Sequence, residues 1–174
     1  MEIQFVQKVK CVMGMIYSDN DENEKCLQQL INIFGRVDLV SKEYPFEITD
    51  YYENELGAFL KRKFVSFDRL IEPQQLAEIK RLTNIIESKY STGQKRKVNL
   101  DPGYLDMDKF ILASAKYGRQ KIYLDKGIYA DPTLYFYNKK FHSYSWSFPD
   151  FSSGVYDSYF IQVRNLYKQQ IRRS

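Results

Sequence analysis

The chain has 174 residues, with 26 Lys and Arg against 22 Asp and Glu, a formal net charge of +4, one His and two Cys. That length can bury a core without staples, and 44% hydrophobic with 16% aromatic residues excludes a disordered, collagen-like or coiled-coil chain. A single histidine excludes a multi-histidine zinc centre, and no apolar run nears the roughly 18 residues of a membrane-spanning helix.

Charge is unevenly spread. Residues 1–60 hold 5 basic and 11 acidic groups, residues 61–100 hold 10 and 4, and residues 101–174 hold 11 and 7. A basic middle of this kind attracts anions. Residues 1–10 lack the apolar stretch of a signal peptide, and two isolated cysteines fit a reducing cytoplasm better than a disulfide scaffold.

In chain order, Val9–Tyr17 is apolar at both odd and even positions, the pattern of a central strand covered on both faces. Asp19-x-x-Glu22 has capping-box spacing, Leu27, Leu30, Ile31 and Phe34 form one helical stripe, and Gly35 stands where a C-cap belongs. The segment from Val37 to Ile48 is extended but interrupted at Pro45, so it is an edge or a bend. Asp50-Tyr51-Tyr52-Glu53 makes a polar-aromatic turn, and Phe59 to Leu70 is a strand. Glu72-Pro73 starts a helix whose buried face is Leu76, Ile79, Leu82, Ile85 and Ile86, running to about Tyr90. Lys95 to Leu100 is a strand, and Asp101-Pro102-Gly103 reads as a tight turn.

The order β-α-β-β-α-β over residues 9–101 is that of a ferredoxin-like split β-α-β sheet, an α+β fold with both helices on one face. Residues 104–174 are expected to pack on it as a helix (Asp106 to Tyr117), short hairpin strands (Lys121–Leu124, Ile128–Ala130, Thr133–Tyr137) and a last helix carrying Tyr156, Tyr159, Phe160, Val163, Leu166 and Tyr167. Residues 1–174 are then a single domain.

Several known machines are absent. No phosphate loop, dinucleotide fingerprint, nucleophile elbow or Cys-x-x-Cys pair occurs, and one histidine cannot supply the two His-x-Thr/Ser pairs of the 2H phosphoesterases. The segment Lys97 to Tyr104 is the most specific feature left. On a strand Lys97, Asn99 and Asp101 share one face while Val98 and Leu100 share the other, so a cation, an amide and a carboxylate would stand on the open face of the sheet. Lys61-Arg62-Lys63 adds cations on the preceding strand. Asp50, Glu53 and Glu55, with Asp101, Asp106 and Asp108, have the chemistry to hold Mg²⁺, and Tyr135, Tyr137, Tyr144 and Trp146 have the ring faces to stack bases.

Asp50-Tyr51-Tyr52, Val98-Asn99-Leu100-Asp101-Pro102-Gly103-Tyr104, Ile122-Tyr123-Leu124, Gly127-Ile128-Tyr129-Ala130 and Trp146-x-x-Pro149-Asp150 resemble a prokaryotic family catalogued as a domain of unknown function. The likeness runs from about Val9 to Lys168. Some of that family's members are labelled GTP-binding, and Ser114-Ala115-Lys116 resembles the guanine-contacting Ser-Ala-Lys of GTPases. The expectation is a cytoplasmic protein that binds an anionic small molecule, a nucleotide such as GTP or a phosphorylated metabolite, through Lys61, Lys63, Lys97, Asn99, Asp101, Lys116 and Tyr123. Three alternatives stay open: an Mg²⁺-assisted phosphoester hydrolase, a nucleic-acid binder and a protein-interaction module. Nucleic acid is the less expected partner, and a membrane is not expected.

Overall fold

The computed structural model describes residues 2–46, 56, 59–92 and 95–173. In chain order the elements are β1 (Val9–Tyr17), α1 (Asn20–Phe34), β2 (Val37–Val40), β3 (Tyr44–Pro45), β4 (Lys61–Ile71), a 3₁₀ turn at Pro73–Gln75, α2 (Leu76–Lys89), β5 (Ser91–Thr92), β6 (Lys95–Arg96), β7 (Val98–Leu105), β8 (Lys109–Ser114), β9 (Ile122–Asp125), β10 (Ile128–Tyr137), β11 (Lys140–Ser143), α3 (Pro149–Ser152) and α4 (Asp157–Ile171). The predicted turn at Asp50 to Glu53 lies outside the described residues.

Among the described residues, nine strands form one antiparallel sheet in the order β11-β10-β8-β7-β1-β4-β2, with β3 added to β4 and β9 to β10. β1 is central, between β4 and β7, and is buried at all 9 positions. Its odd residues Val9, Cys11, Met13, Met15 and Tyr17 join Leu30 and Phe34 of α1, Ile79 and Ile86 of α2, and Val98 and Leu100 in one core. Its even residue Val12 joins the opposite core, where Phe64, Phe110 and Leu134 meet Phe160, Val163 and Tyr167 of α4. Two-sided apolarity in the sequence is therefore two helical layers in the fold. The Asp19 side chain caps α1 by accepting from the Asp21 and Glu22 amides at 2.9 and 3.2 Å, and Gly35 ends it at φ +93°.

Three expectations change. The predicted helix from Asp106 to Tyr117 is the strand β8, because Phe110 and Leu112 face the α4 core while Ile111 and Ala113 face α2. A four-residue apolar run has no period of its own, and here two partners of opposite sides made it a strand. Asp106, expected as a helix start, instead accepts the Asp108 and Lys109 amides, both at 2.8 Å, and tightens the β7–β8 turn. The extension is thus a continuation of the sheet rather than a helical cover, with α4 alone as its long helix. Second, Asp101-Pro102-Gly103 is no turn; it runs extended through the middle of β7. Third, Ile128–Ala130 and Thr133–Tyr137 are one strand, β10, with a bulge between Pro132 and Leu134.

The bulge changes which way β10 side chains point. Before it, Ile128 and Ala130 face α2; after it, Leu134 joins the α4 core, so Tyr135 takes the side that Ala130 took.

Gly103 is required by close approach, not by a left-handed turn. A Cβ there would stand 2.6 Å from the Ile111 carbonyl oxygen and 2.8 Å from the Phe110 ring. Gly103→Val is expected to cost more than the usual 1–3 kcal/mol of overpacking, since backbone must move, read as a drop in the urea midpoint. An unchanged midpoint would mean that β8 separates freely from β7.

Cys11 and Cys26 are buried on the α1–α2 side, and burial pushes both thiols up to about 12. A thiol raised in the fold favours folding below its unfolded value and ceases to do so as pH rises through the folded one. Stability should therefore fall between about pH 9 and 12. Cys11→Ala and Cys26→Ala should each flatten that slope in denaturation measured across this range; parallel curves for wild type and variants would refute the assignment.

Candidate functional site

β7 and β8 pair only at Gly103↔Leu112, Tyr104↔Ile111 and Leu105↔Phe110. The next rung would need a backbone donor from residue 102, which is proline. N–H and C=O of alternate strand residues point to the same edge, so the Pro102 nitrogen faces β8 and has nothing to donate. The strands part there. One step further, helix α2 supplies what a neighbouring strand would have supplied: the Leu100 amide donates to Glu87 Oε1 at 2.7 Å, and Lys80 Nζ donates to the Leu100 carbonyl at 2.7 Å. Lys80 and Glu87 are seven residues apart, two turns on one face of α2. Burial raises the Glu87 carboxyl above its ordinary range, opposed by Lys80, the Leu100 amide and Arg96.

The gap is a cleft of about 530 Å³ that reaches from α2 through the sheet to α3. Its charged lining is Lys80, Glu87 and Arg96 on one side and Arg62, Asp101 and Asp150 on the other, with Lys116, Lys121 and Asp131 beyond β8. Among the described residues, five cations thus face four carboxylates. Phe46, Phe148 and Phe151 supply apolar wall.

Arg62 is the centre of the far side. The residue is 5% exposed, and its guanidinium is bonded to Asp150 through Nη1 and to Asp101 through Nη2 at 3.2 Å and lies 4.5 Å from the Phe46 ring centroid. Burial works against its charge, yet Asp150 first and Asp101 second more than offset this and raise its pKa further. Asp150 also accepts from the Tyr156 hydroxyl at 3.0 Å, a phenol that burial holds well above its usual value. Gly14 of β1, opposite both Phe64 and Asp101, leaves room beneath: a Cβ there would come within 3.2 Å of the Phe64 ring.

Two buried donors on this lining have no acceptor among the described residues, Arg62 Nε and Asn99 Nδ2. Asn99 is 4% exposed, and its carbonyl already accepts from Arg96 at 3.0 Å. Across the gap, Lys121 Nζ is 2.8 Å from Ser114 Oγ and 3.3 Å from Asp131 Oδ2.

Of the seven residues read from the sequence, the cleft gathers Asn99, Asp101 and Lys116. Lys61 and Lys63 have the opposite strand parity to Arg62. Lys61 bonds Glu43 and Asn20, and Lys63 bonds Glu24 and lies over Tyr17, all on the α1 side. Lys97 precedes β7 in a bend, its amide bound to the Tyr90 carbonyl, and Tyr123 is exposed on β9 against Tyr129. Of the carboxylates weighed for Mg²⁺, Asp50, Glu53 and Glu55 lie outside the described residues. No three His, Cys, Asp or Glu side chains among the described residues converge to hold a metal ion.

Residues 7–167 match the family described as Domain of unknown function (DUF4416). The chain belongs to that family. No curated protein and no solved structure matches it. No helix among the described residues is long and apolar enough to cross a membrane.

Of the site residues outside those seven, some have a signal in the sequence and some have none. Arg62 shares its strand face with Phe64, as alternation requires, and Asp150 follows Pro149 in the Trp146-x-x-Pro149-Asp150 signature. Glu87 and Lys80 carry no local signal, since only the early end of β8 turns a helix face into a strand partner.

Arg62→Ala leaves the Asp150 carboxylate buried and unpaired and is expected to cost about 3–5 kcal/mol. Arg62→Lys keeps the charge but cannot span Asp101 and Asp150 together, so it should recover only part of that loss. Urea denaturation of both variants decides this; an Arg62→Ala protein as stable as wild type would show that Asp150 needs no partner.

Proposed function

We propose that the cleft binds an anionic small molecule, with nucleotides as the class to test first. One observation carries this reading: two buried donors, Asn99 Nδ2 and Arg62 Nε, lack an acceptor among the described residues on the wall of a cleft whose cations outnumber its carboxylates by one. A buried unpaired donor costs about 1–3 kcal/mol, so a ligand that brings an acceptor is favoured by that amount at each contact it completes. The volume of about 530 Å³ is within the ordinary range for small-molecule sites, and apolar wall from Phe46 and Phe148 suits a flat ring while Lys116, Lys121 and Arg96 suit a charged group. Ser114-Ala115-Lys116, which resembles the guanine-contacting segment of GTPases, lines the same cleft and supports including guanine nucleotides.

The architecture behind this reading is a ferredoxin-like split β-α-β core of β1, α1, β2, β4, α2 and β7, supported by the strand order β7-β1-β4-β2 and by both helices sharing the β1 odd-residue core. A reducing, cytoplasmic setting agrees with two free, buried thiols.

A thermal-shift panel of nucleotides and phosphorylated metabolites, with and without Mg²⁺, tests the proposal. A ligand at a hundred times its Kd adds about 2.7 kcal/mol, which for a chain of this size moves the midpoint by roughly 5–10 °C. Asn99→Asp keeps shape and the bond from Arg96 but replaces the unpaired donor by a carboxylate, and should abolish the shift while leaving the ligand-free midpoint almost unchanged. No response from the panel at millimolar ligand, or a full response in Asn99→Asp, overturns it.

A further inference from the structure

The uncovered part of the sheet carries a second surface. The core under α2 extends over β10 only to Ala130 and Ile128, and beyond the bulge Tyr135 and Tyr137 share that side of the sheet without a helix above them. Register puts Lys109 of β8 beside Tyr135, and His142 and Lys140 of β11 beside Tyr135 and Tyr137. His142 is a half-buried strand residue stacked on Tyr135 at 5.3 Å and 19°. Tyr135 next meets Tyr144 at 5.0 Å, and Tyr144 stacks on Trp146 at 4.8 Å with their planes 7° apart. With the Tyr137 ring 6.2 Å from that of His142, five rings run in one continuous strip.

The strip is rigid in the middle and open at its ends. Trp146 is fixed by its indole N–H donating to the Pro132 carbonyl at 2.9 Å, yet 45% of it is exposed, and Tyr137 is 61% exposed at the other end. Rings held in place lose little freedom when a partner stacks on them. Cations predominate around the strip, with the Asp157 carboxylate the acidic group that faces His142 and Lys140 electrostatically, beyond ion-pair distance of Lys140. Lys139 and Lys140 are exposed at the β10–β11 hairpin, whose Asn138 and Lys139 have φ of +48° and +65°, and no carboxylate of a described residue stands within ion-pair distance of either lysine. Lys109 is the one lysine of the strip that is paired, to Asp106 at 2.5 Å.

From this geometry we infer that the strip binds single-stranded nucleic acid. Flat rings and lysines outside any ion pair with a described residue fit a chain that alternates flat bases with phosphates, whereas an apolar or proline-rich peptide would use the rings and leave the lysines idle. The surface is separate from the cleft: Tyr135, Tyr137 and Lys140 do not line it.

Trp146 is the chain's only tryptophan, so it reports on the strip directly. The experiment titrates the full chain with a 12-mer of deoxythymidine and one of uridine at low salt, following tryptophan fluorescence and the anisotropy of an end label. Saturable quenching is expected, with an affinity that falls as salt rises by a log–log slope of about −0.7 for each phosphate contacted. Tyr137→Ala should weaken binding by roughly fivefold to a hundredfold, Tyr137→Phe should restore it, and Lys140→Glu should weaken it and flatten the salt slope, all with unchanged melting temperatures. No quenching by either oligomer overturns the inference. So does quenching that Tyr137→Ala and Lys140→Glu leave intact, which would place the ligand elsewhere, or quenching by a proline-rich peptide in place of the oligomers.

Discussion

A proline at position 102 divides the edge of β7 into two regimes, and the site follows from that division. Up to Gly103 the edge is satisfied by another strand; beyond it, by the side chains of Lys80 and Glu87. A sheet that paired throughout would be closed at this point. Because buried backbone groups must find partners somewhere, the opening exists only where a helix can supply a donor and an acceptor at the right height. Glu87 does so while also holding Arg96, which in turn holds Asn99. Backbone satisfaction and side-chain placement are thus one network.

The far wall obeys the same logic with different chemistry. Arg62 stands on a strand next to the centre of the sheet, where an isolated charge would be very costly. Asp101 comes to it from β7 and Asp150 from α3, so three elements distant in sequence are tied at one point. The trio leaves one negative charge in excess, balanced by cations across the gap. Such a wall is stiff: moving Asp101 uncovers Arg62, and moving Arg62 strands Asp150.

Most of the first hundred residues could be read from pattern alone. β1 declared itself by apolarity on both faces, α1 by Asp19 and Gly35, and α2 by Pro73 and its stripe. The open face of Asn99 and Asp101 was also legible, because Val98 and Leu100 had to point into the core. What could not be read was anything decided by a distant partner. Phe110-Ile111-Leu112-Ala113 takes its identity from the two cores it separates. Asp-Pro-Gly has turn chemistry in isolation and became a strand because Gly103 lets β8 come close and Pro102 stops it there. Lys61 and Lys63 outnumber Arg62 locally, and only the side to which α1 docks decides which of them reaches the cleft.

The bulge at Thr133 sets two inheritances apart on one strand. Residues before it and after it use opposite parity, so substitutions at Asp131 can alter the cleft, and substitutions at Tyr135 the opposite face, without either change being transmitted along the strand. Deleting Thr133 would remove the bulge yet keep both faces, because Leu134 would then follow Pro132 and still meet Phe110 on the α4 side, with Tyr135 still beside Lys109. The inserted residue therefore shifts sequence parity without exchanging the faces, and the strand tolerates a change of length at Thr133 better than at the paired positions on either side, where one residue more or less would turn every later side chain over.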